Sequence, residues 1–473
     1  MIGKIINICL LICSVATSCL SQTKVEGEGN LKFKKRVLQS NLQDPWDITY
    51  GPDDYLWITE SKGYKVSRID IASGKTQVIL DLNSERSFSG KPWPQGGLMG
   101  MALHPKMNSG KPFVYLAYVY RFVESRSNFA GNYFKTKVVR YTWNKEKLTL
   151  SNPKVLCDTI PGSNDHNGGR LHIADIDGKE YLFYSVGDMG AGQFDNGNRP
   201  NHAQDPKYYQ GKILRFNTEE DNDKEALDRW VPNSNPFRNA VWSIGHRNPQ
   251  GLASVTVAGK KILYSTEHGP YSDDEINLIE RGANYGHPLV IGYNDGNYDG
   301  LAASVSDHDS LPGKWNTTYP LIEKEAANAA KIGSSYRNPI KAFSPNENSF
   351  LTGLFTAVAN NAGRSDWSSE APSSLEVYTS NAIPGWRNSL LIPTLKTGRL
   401  IRLKVDDSGK GLKGEEESYF QAGNRLRDVA ISPDGKKIYL ITDRSSVTSG
   451  PTKEDPQGSN EKGAVIEFSY TGQ

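Results

Sequence analysis

Two short stretches of this chain pair chemically capable side chains with glycine. In GSNDHNGGRLHI, Asp165 precedes His166, and in GHRNPQGL, running from Gly245 to Leu252, Arg247 precedes Asn248. A histidine accepts a proton near neutral pH, and an adjacent carboxylate can orient its ring. An arginine recognises planar anions and steadies negative charge that develops on an oxygen. The flanking glycines let the backbone turn tightly beside a ligand. Neither stretch is a general catalytic signature. The chain also carries no G-x-S-x-G, H-E-x-x-H or Walker loop, and no dinucleotide fingerprint set between a strand and a helix. Serine-hydrolase, zinc-protease, nucleotide and NAD chemistry therefore lack support in the sequence.

The chain that must position these residues has 473 residues, enough to bury a large core. A net charge of +2 gives no concentrated basic face, which argues against nucleic-acid binding. Its 45 Gly, 23 Tyr and 9 Trp suit a turn-rich, all-β chain. At the N-terminus, Lys4 is followed by an apolar run from Ile5 to Val15 and then small residues up to Cys19. This pattern predicts an export signal over residues 1–19, too short to span a membrane. Ala16-Thr17-Ser18-Cys19 resembles a lipoprotein cleavage box, with an ordinary signal peptide as the alternative. The expected location is periplasmic, or the outer membrane or cell surface, with membrane contact only through a lipid on Cys19. Residues 20–30 read as a tether. Beyond Cys19 only Cys157 remains, so no intramolecular disulfide is available. In its apolar setting, KVLC, Cys157 reads as a small buried hydrophobe.

From Asp47 onward one pattern recurs: a short apolar strand, a turn such as Pro-Asp-Gly, then further strands rich in Tyr, Leu, Ile and Val. Six such units, each of about four strands, predict a six-bladed β-propeller with four-stranded antiparallel blades, in a single domain over 31–473. The last strand, AVIEFSY, is expected to close the ring against Lys32–Leu38. Residues 190–240 and 297–370 are expected to be loops on one rim. The acidic stretch TEEDNDKEALD lacks the glycine spacing of an EF-hand and reads as a solvated loop.

Further motifs occur in one characteristic order: QGGLMGMALHP, NDHNGGRL, GDMGAGQ, GKILRFN, GHRNPQGL, EHGPYSDDEINLI, GANYGHP, APSS, LLIPTLKTG and NRLRDVAISPDG. Through them nearly the whole mature chain resembles the soluble, PQQ-dependent glucose and aldose sugar dehydrogenases. The resemblance implies a quinoprotein that binds pyrroloquinoline quinone (PQQ) and Ca2+. It implies oxidation of the C1 hydroxyl of an aldose to the lactone by hydride transfer to PQQ. By the same resemblance His166 is the general base, and Arg247 stabilises charge on the quinone oxygen. Asp165 would orient His166 or contact the sugar, with Gln95 and Gln193 also on the sugar side. Arg247, Asn248, Lys396, Arg425, Arg427, Trp367 and Ser369 match cofactor positions. Gly269 and Pro270 match carbonyl ligands of the catalytic ion. Glu275 and the Tyr285 carbonyl imply a second ion, assisted by Asp273 and Asp274.

The chain departs from the pattern at His268 and Met189, where glutamines are expected, at Arg364, and in the length of the 297–370 insertion. These departures fall toward the sugar side and put glucose preference in doubt. Two other readings compete. One is a non-catalytic carbohydrate- or protein-binding propeller; the other is a calcium-dependent lactonase-type hydrolase. The joint presence of His166, Arg247, Lys396, Arg425 and Arg427 disfavours the first. The second would need a central metal held by carboxylates and Asn, and no such set stands out. The sugar, the electron acceptor and any homodimer are left open.

Overall fold

Turn chemistry sets the strand boundaries. After Tyr50, Gly51 donates to the Tyr55 carbonyl (2.7 Å) and Asp54 takes a left-handed φ of 59°, reversing the chain into the next strand. In the SPDGK turn near the C-terminus, Asp434 accepts from the Lys436 amide (3.0 Å) and the Ser432 hydroxyl (2.5 Å). The computed structural model describes residues 23–28, 30–221, 228–363, 365–421, 423–445 and 461–472. The expected signal segment, Cys19, Arg364 and part of the acidic stretch lie outside the described residues.

The strands form six antiparallel sheets, the blades of a β-propeller. Their innermost strands are Pro45–Tyr50, Leu98–Leu103, Leu171–Ile176, Pro249–Val257, Glu376–Tyr378 and Leu426–Ile431, and neighbouring ones pack around the axis. The ring closes as expected: Leu31–Gln39 pairs with Val465–Gly472, from Lys32 opposite Gly472 to Gln39 opposite Val465. Thr23–Glu28, in the stretch read as a tether, adds a fifth strand to this sheet by pairing with residues 31–35. Apolar faces of adjacent blades bury one another. Trp57, Val66, Leu116, Val139 and Trp143 join the first two blades, and Phe33, Trp386, Leu400, Leu440 and Phe468 join the last two. Each such side chain contributes about 1.5–3 kcal/mol on burial. Cys157 is half-buried against one such cluster, and burial pushes its thiol up, away from the reactive thiolate.

The 297–370 insertion is more than the loop the sequence suggested. It contains helix α1 (Glu325–Ile332), helix α2 (Asn348–Ala359) and Lys341–Phe343, the outer strand of the fourth blade. Leu351, Leu354, Phe355 and Val358 line one face of α2 and pack with Tyr298, Leu301, Trp315 and Tyr319 in a satellite core. Among the described residues, no helix is long and apolar enough to cross a membrane.

On the axis, Arg170 Nη1 donates to Asp47 Oδ2 and Asp428 Oδ2, each at 2.7 Å, and its guanidinium lies 4.2 Å from the Trp46 ring centre. This buried arginine ties the NDHNGGR segment to the first and sixth blades.

Candidate active site

The loops that lead into the innermost strands converge on a cavity of about 690 Å³. Most of the expected site residues sit in these loops or just inside the strands, which is why positions far apart in sequence meet. Gln95, Asp165, His166, Gln193, Arg247, Asn248, Gly269, Trp367, Ser369, Lys396, Arg425 and Arg427 all line the cavity. Pro270, Glu275 and Tyr285 do not.

His166 adopts a left-handed φ of 48°. Its Nδ1 lies 2.7 Å from Asp188 Oδ1, so Nδ1 carries the proton and Nε2 keeps its lone pair. This corrects the expectation for Asp165, which was read as a possible orienting group. Asp165 Oδ1 is 3.6 Å from His166 Nε2, and the carboxylate instead accepts from Gln95 Nε2 (3.2 Å) and Gln193 Nε2 (2.6 Å). Asp188 was missed, although it lies within the GDMGAGQ motif. It is fully buried and also accepts from His287 Nε2 (2.9 Å), Tyr319 Oη (2.8 Å), Asn201 Nδ2 (3.1 Å) and the Gly190 amide (2.9 Å). Burial alone would raise the Asp188 carboxyl, but the charge and hydrogen bond of His166, followed by those of His287, outweigh it. They hold the carboxyl well below the usual range.

Gln193 joins base to cation. Its amide nitrogen also faces His166 Nε2 at 3.2 Å, and its oxygen accepts from Arg247 Nη2 at 3.0 Å. Arg247 Nη1 donates to the His268 carbonyl (3.1 Å), while its buried Nε has no hydrogen-bond partner among the described residues. Asn248 Oδ1 accepts from the Gly168 amide (3.2 Å) and Gln250 Nε2 (2.9 Å), which fixes the side-chain amide.

Three further cations line the cavity. Arg427 grips Asp443 through Nε (2.8 Å) and Nη2 (2.9 Å), and Arg425 Nε reaches the same carboxylate at 3.3 Å. Lys396 Nζ contacts Asp366 at 3.0 Å and lies 4.1 Å from the Trp367 ring centre. Trp367 stands edge-on to Tyr271, with ring centres 5.0 Å apart. Ser369 Oγ donates to Asp274 Oδ2 at 2.7 Å.

The departures from the family pattern separate in space. His268 lines the cavity, and its Nε2 lies 2.9 Å from the Pro372 carbonyl. Burial, with Arg247, His166 and Arg427 nearby, lowers its pKa to about 3, so it remains neutral. The Met189 side chain, expected near the sugar, instead packs in the hydrophobic core beneath.

Oxygen atoms gather behind Gly269. Asp274 is saturated: it accepts from the amides of Gly269 (2.9 Å), Glu370 (2.8 Å) and Ala371 (2.9 Å) as well as from Ser369. These bonds tie the Gly269 and Ser369–Ala371 segments together. Pro270's carbonyl accepts the Tyr298 hydroxyl, which uses one of its two lone pairs. Asp273 Oδ1, Asn277 Oδ1 and Asn297 Oδ1 are buried without a donor among the described residues. Glu275 is buried close to Glu267, and burial and then that charge raise its carboxyl well above the usual range. The Tyr285 ring stacks on His246, with centres 4.7 Å apart. Among the described residues, no group of three or more His, Cys, Asp or Glu side chains is arranged to hold a metal. An ion here would need backbone and amide oxygens beside at most two carboxylates, as calcium accepts.

The family model for glucose/sorbosone dehydrogenases matches residues 42–327 and 361–448. The chain belongs to this family. It is 34% identical over 472 residues to quinoprotein glucose dehydrogenase B of Acinetobacter calcoaceticus, covering 93% of this chain and 91% of that protein. The fold matches the PQQ-bound aldose sugar dehydrogenase of Streptomyces coelicolor with a TM-score of 0.60, at 23% identity, over 93% of this chain and 99% of that one. It also matches a calcium structure of a Trichoderma reesei family AA12 carbohydrate-active enzyme, with a TM-score of 0.55 and 12% identity, over 96% and 98% of the two chains.

Proposed function

We propose that this family member is a PQQ- and Ca2+-dependent aldose dehydrogenase that oxidises the C1 hydroxyl of a sugar to the lactone. The observation that carries the reading is that one cavity is lined both by a held imidazole, His166, and by the Arg247, Lys396, Arg425 and Arg427 cations. A tricarboxylated, flat cofactor fits such a lining: Lys396, Arg425 and Arg427 would hold its carboxylates, Trp367 and Ser369 its ring, and Arg247 and Asn248 its polar edge. The unpartnered Arg247 Nε is consistent with a further acceptor in the cavity. Gly269 and Pro270 would lend carbonyl oxygens to a calcium ion. The oxygens of Asp273, Asn277 and Asn297, which have no donor among the described residues, and the Glu275 carboxyl, raised by burial and by Glu267, fit a second cation, with the Tyr285 carbonyl assisting. When bound, PQQ supplies a two-electron acceptor and Ca2+ supplies Lewis acidity at its quinone edge.

The chain's own work is positioning and proton transfer. Asp188 holds Nδ1–H, so His166 Nε2 takes the C1 hydroxyl proton. The Gln193 amide lies 3.2 Å from that nitrogen, so a sugar hydroxyl that reaches the base would displace it. Gln193 then remains beside Asp165 and Gln95 to hold other sugar hydroxyls. Export through residues 1–19, with a lipid on Cys19, is part of the same proposal. The non-catalytic propeller is not favoured, because it leaves the base and the cations without a use.

His166→Ala is expected to lower sugar-dependent dye reduction by about 10²–10⁴-fold. PQQ binding, followed by absorbance titration, should be retained. Full turnover by this variant would overturn the assignment of the base.

A further inference from the structure

The insertion reaches back to the base. Three consecutive residues, Thr317, Thr318 and Tyr319, grip the loop that carries both Asp188 and Gln193. Thr317 Oγ1 donates to the Gly192 carbonyl, and Thr318 Oγ1 donates to the carbonyls of Gly197 (2.8 Å) and Arg199 (3.1 Å). The Tyr319 ring packs on Gly192 so closely that a Cβ there would lie 2.6 Å from it. Its hydroxyl donates to Asp188 Oδ2 at 2.8 Å, on the carboxylate oxygen opposite the one that serves His166. Tyr319 is buried and lines no part of the cavity.

We infer that Tyr319 is a positioning residue. Through Asp188 its hydroxyl fixes the His166 ring and lowers that histidine's affinity for a proton, so the insertion tunes the base. The inference rests on His166 being the base of the proposed reaction. The physical reason is competition for one carboxylate's charge. Each donor on Oδ2 draws electron density from Oδ1, and a carboxylate already satisfied attracts an imidazolium less. Burial and then the Asp188 charge raise the tyrosine well above its ordinary value, so it stays protonated and can only donate.

The groups that face this pair are few. Asp188 meets His166, His287, Tyr319, Asn201 and the Gly190 amide, with the Arg199 charge nearby. His166 meets Asp188, Asp165 and Gln193, with the His268 ring nearby and Arg247 reaching it through Gln193. Among the described residues, only Tyr319 and Asn201 are Oδ2 donors without titration of their own in the working range.

The test is Tyr319→Phe, which keeps the ring and removes the donor. The His166 imidazole is titrated by proton–nitrogen NMR in the full mature protein without added cofactor, with its signals assigned by comparison with His166→Gln. The midpoint is expected to rise by about one pH unit, a tenfold gain in proton affinity. In the reconstituted enzyme, kcat on the acid side should fall while the sugar KM holds, because the tyrosine touches no substrate. Asn201→Ala, which removes the longer 3.1 Å donor, should shift the midpoint the same way by less, and serves if Tyr319→Phe does not fold. An unmoved midpoint in the folded variants would overturn the inference and leave the proposed reaction standing. Full turnover by His166→Ala would instead sink the base assignment while the measured coupling remained.

Discussion

Arg170 spends its charge on two carboxylates at once, Asp47 and Asp428, all three buried on the propeller axis. One cation cannot fully offset two anions in a dry site. Burial raises Asp47 from 3.8 to about 7, with Arg170 opposing and Asp428 adding to the rise. A carboxyl raised in the folded state gives its full stabilisation below its unfolded value and loses it as pH climbs through the folded one. Between pH 3.8 and about 7 the native chain should therefore lose stability that Asp47→Asn does not lose. Denaturant midpoints of both proteins, taken at acid pH and above neutrality, should move in the variant's favour as pH rises; a gap that ignores pH would contradict this. The same scale shows what sequence order conceals. Asp165 adjoins His166, yet the carboxylate that holds the ring is Asp188, 22 positions away. Neighbouring side chains on a turn diverge, while a distant residue can be brought face to face by the fold. His166, Arg247 and the other cations were legible from residue type and motif order. The donors on Asp188, notably His287, Tyr319 and Asn201, carried no local signal, because a buried hydrogen bond leaves no pattern in the sequence.

At the scale of elements, the loop over residues 187–199 is held from two sides. The tip of the long hairpin in the second blade supplies one grip: Arg199 donates to the carbonyls of Ala130 (3.1 Å) and Asn132 (2.7 Å). The insertion supplies the other through residues 317–319. Gly192 lies between them with a φ of 91°, a conformation side-chain-bearing residues rarely adopt, and with Tyr319 filling the space a Cβ would need. Gly192→Ala should therefore cost about 1–3 kcal/mol. It should also lower kcat by displacing Tyr319 and with it Asp188. Denaturation and steady-state rates on one preparation check both, and an alanine variant equal to the native chain in each would refute the clamp. The blades themselves were readable, because turn residues and alternating apolar strands repeat six times. The insertion was not read as helical, because its apolar stripe in α2 is short and surrounded by polar sequence. Its packing depends on residues as distant as Tyr271.

For the whole molecule, the propeller's geometry explains why the site is assembled from so many parts. Six innermost strands begin around one axis, and the loops entering them face a common cavity. Each loop delivers one or two groups: His166 from the third blade's entry, Arg247 and Asn248 from the fourth, Lys396 within the fifth and Arg425 with Arg427 at the sixth. The N-terminal strand closes the ring on the last blade, which keeps those entries in register. On the proposed reading, a site so divided turns over only when PQQ, Ca2+ and the sugar are all supplied. The decisive measurement uses the purified mature protein, titrated with PQQ in the presence and absence of Ca2+, with dye reduction followed across a panel of aldoses. Sugar-dependent turnover that requires both additions is the predicted result. Failure to bind PQQ, or turnover that needs neither addition, would contradict it.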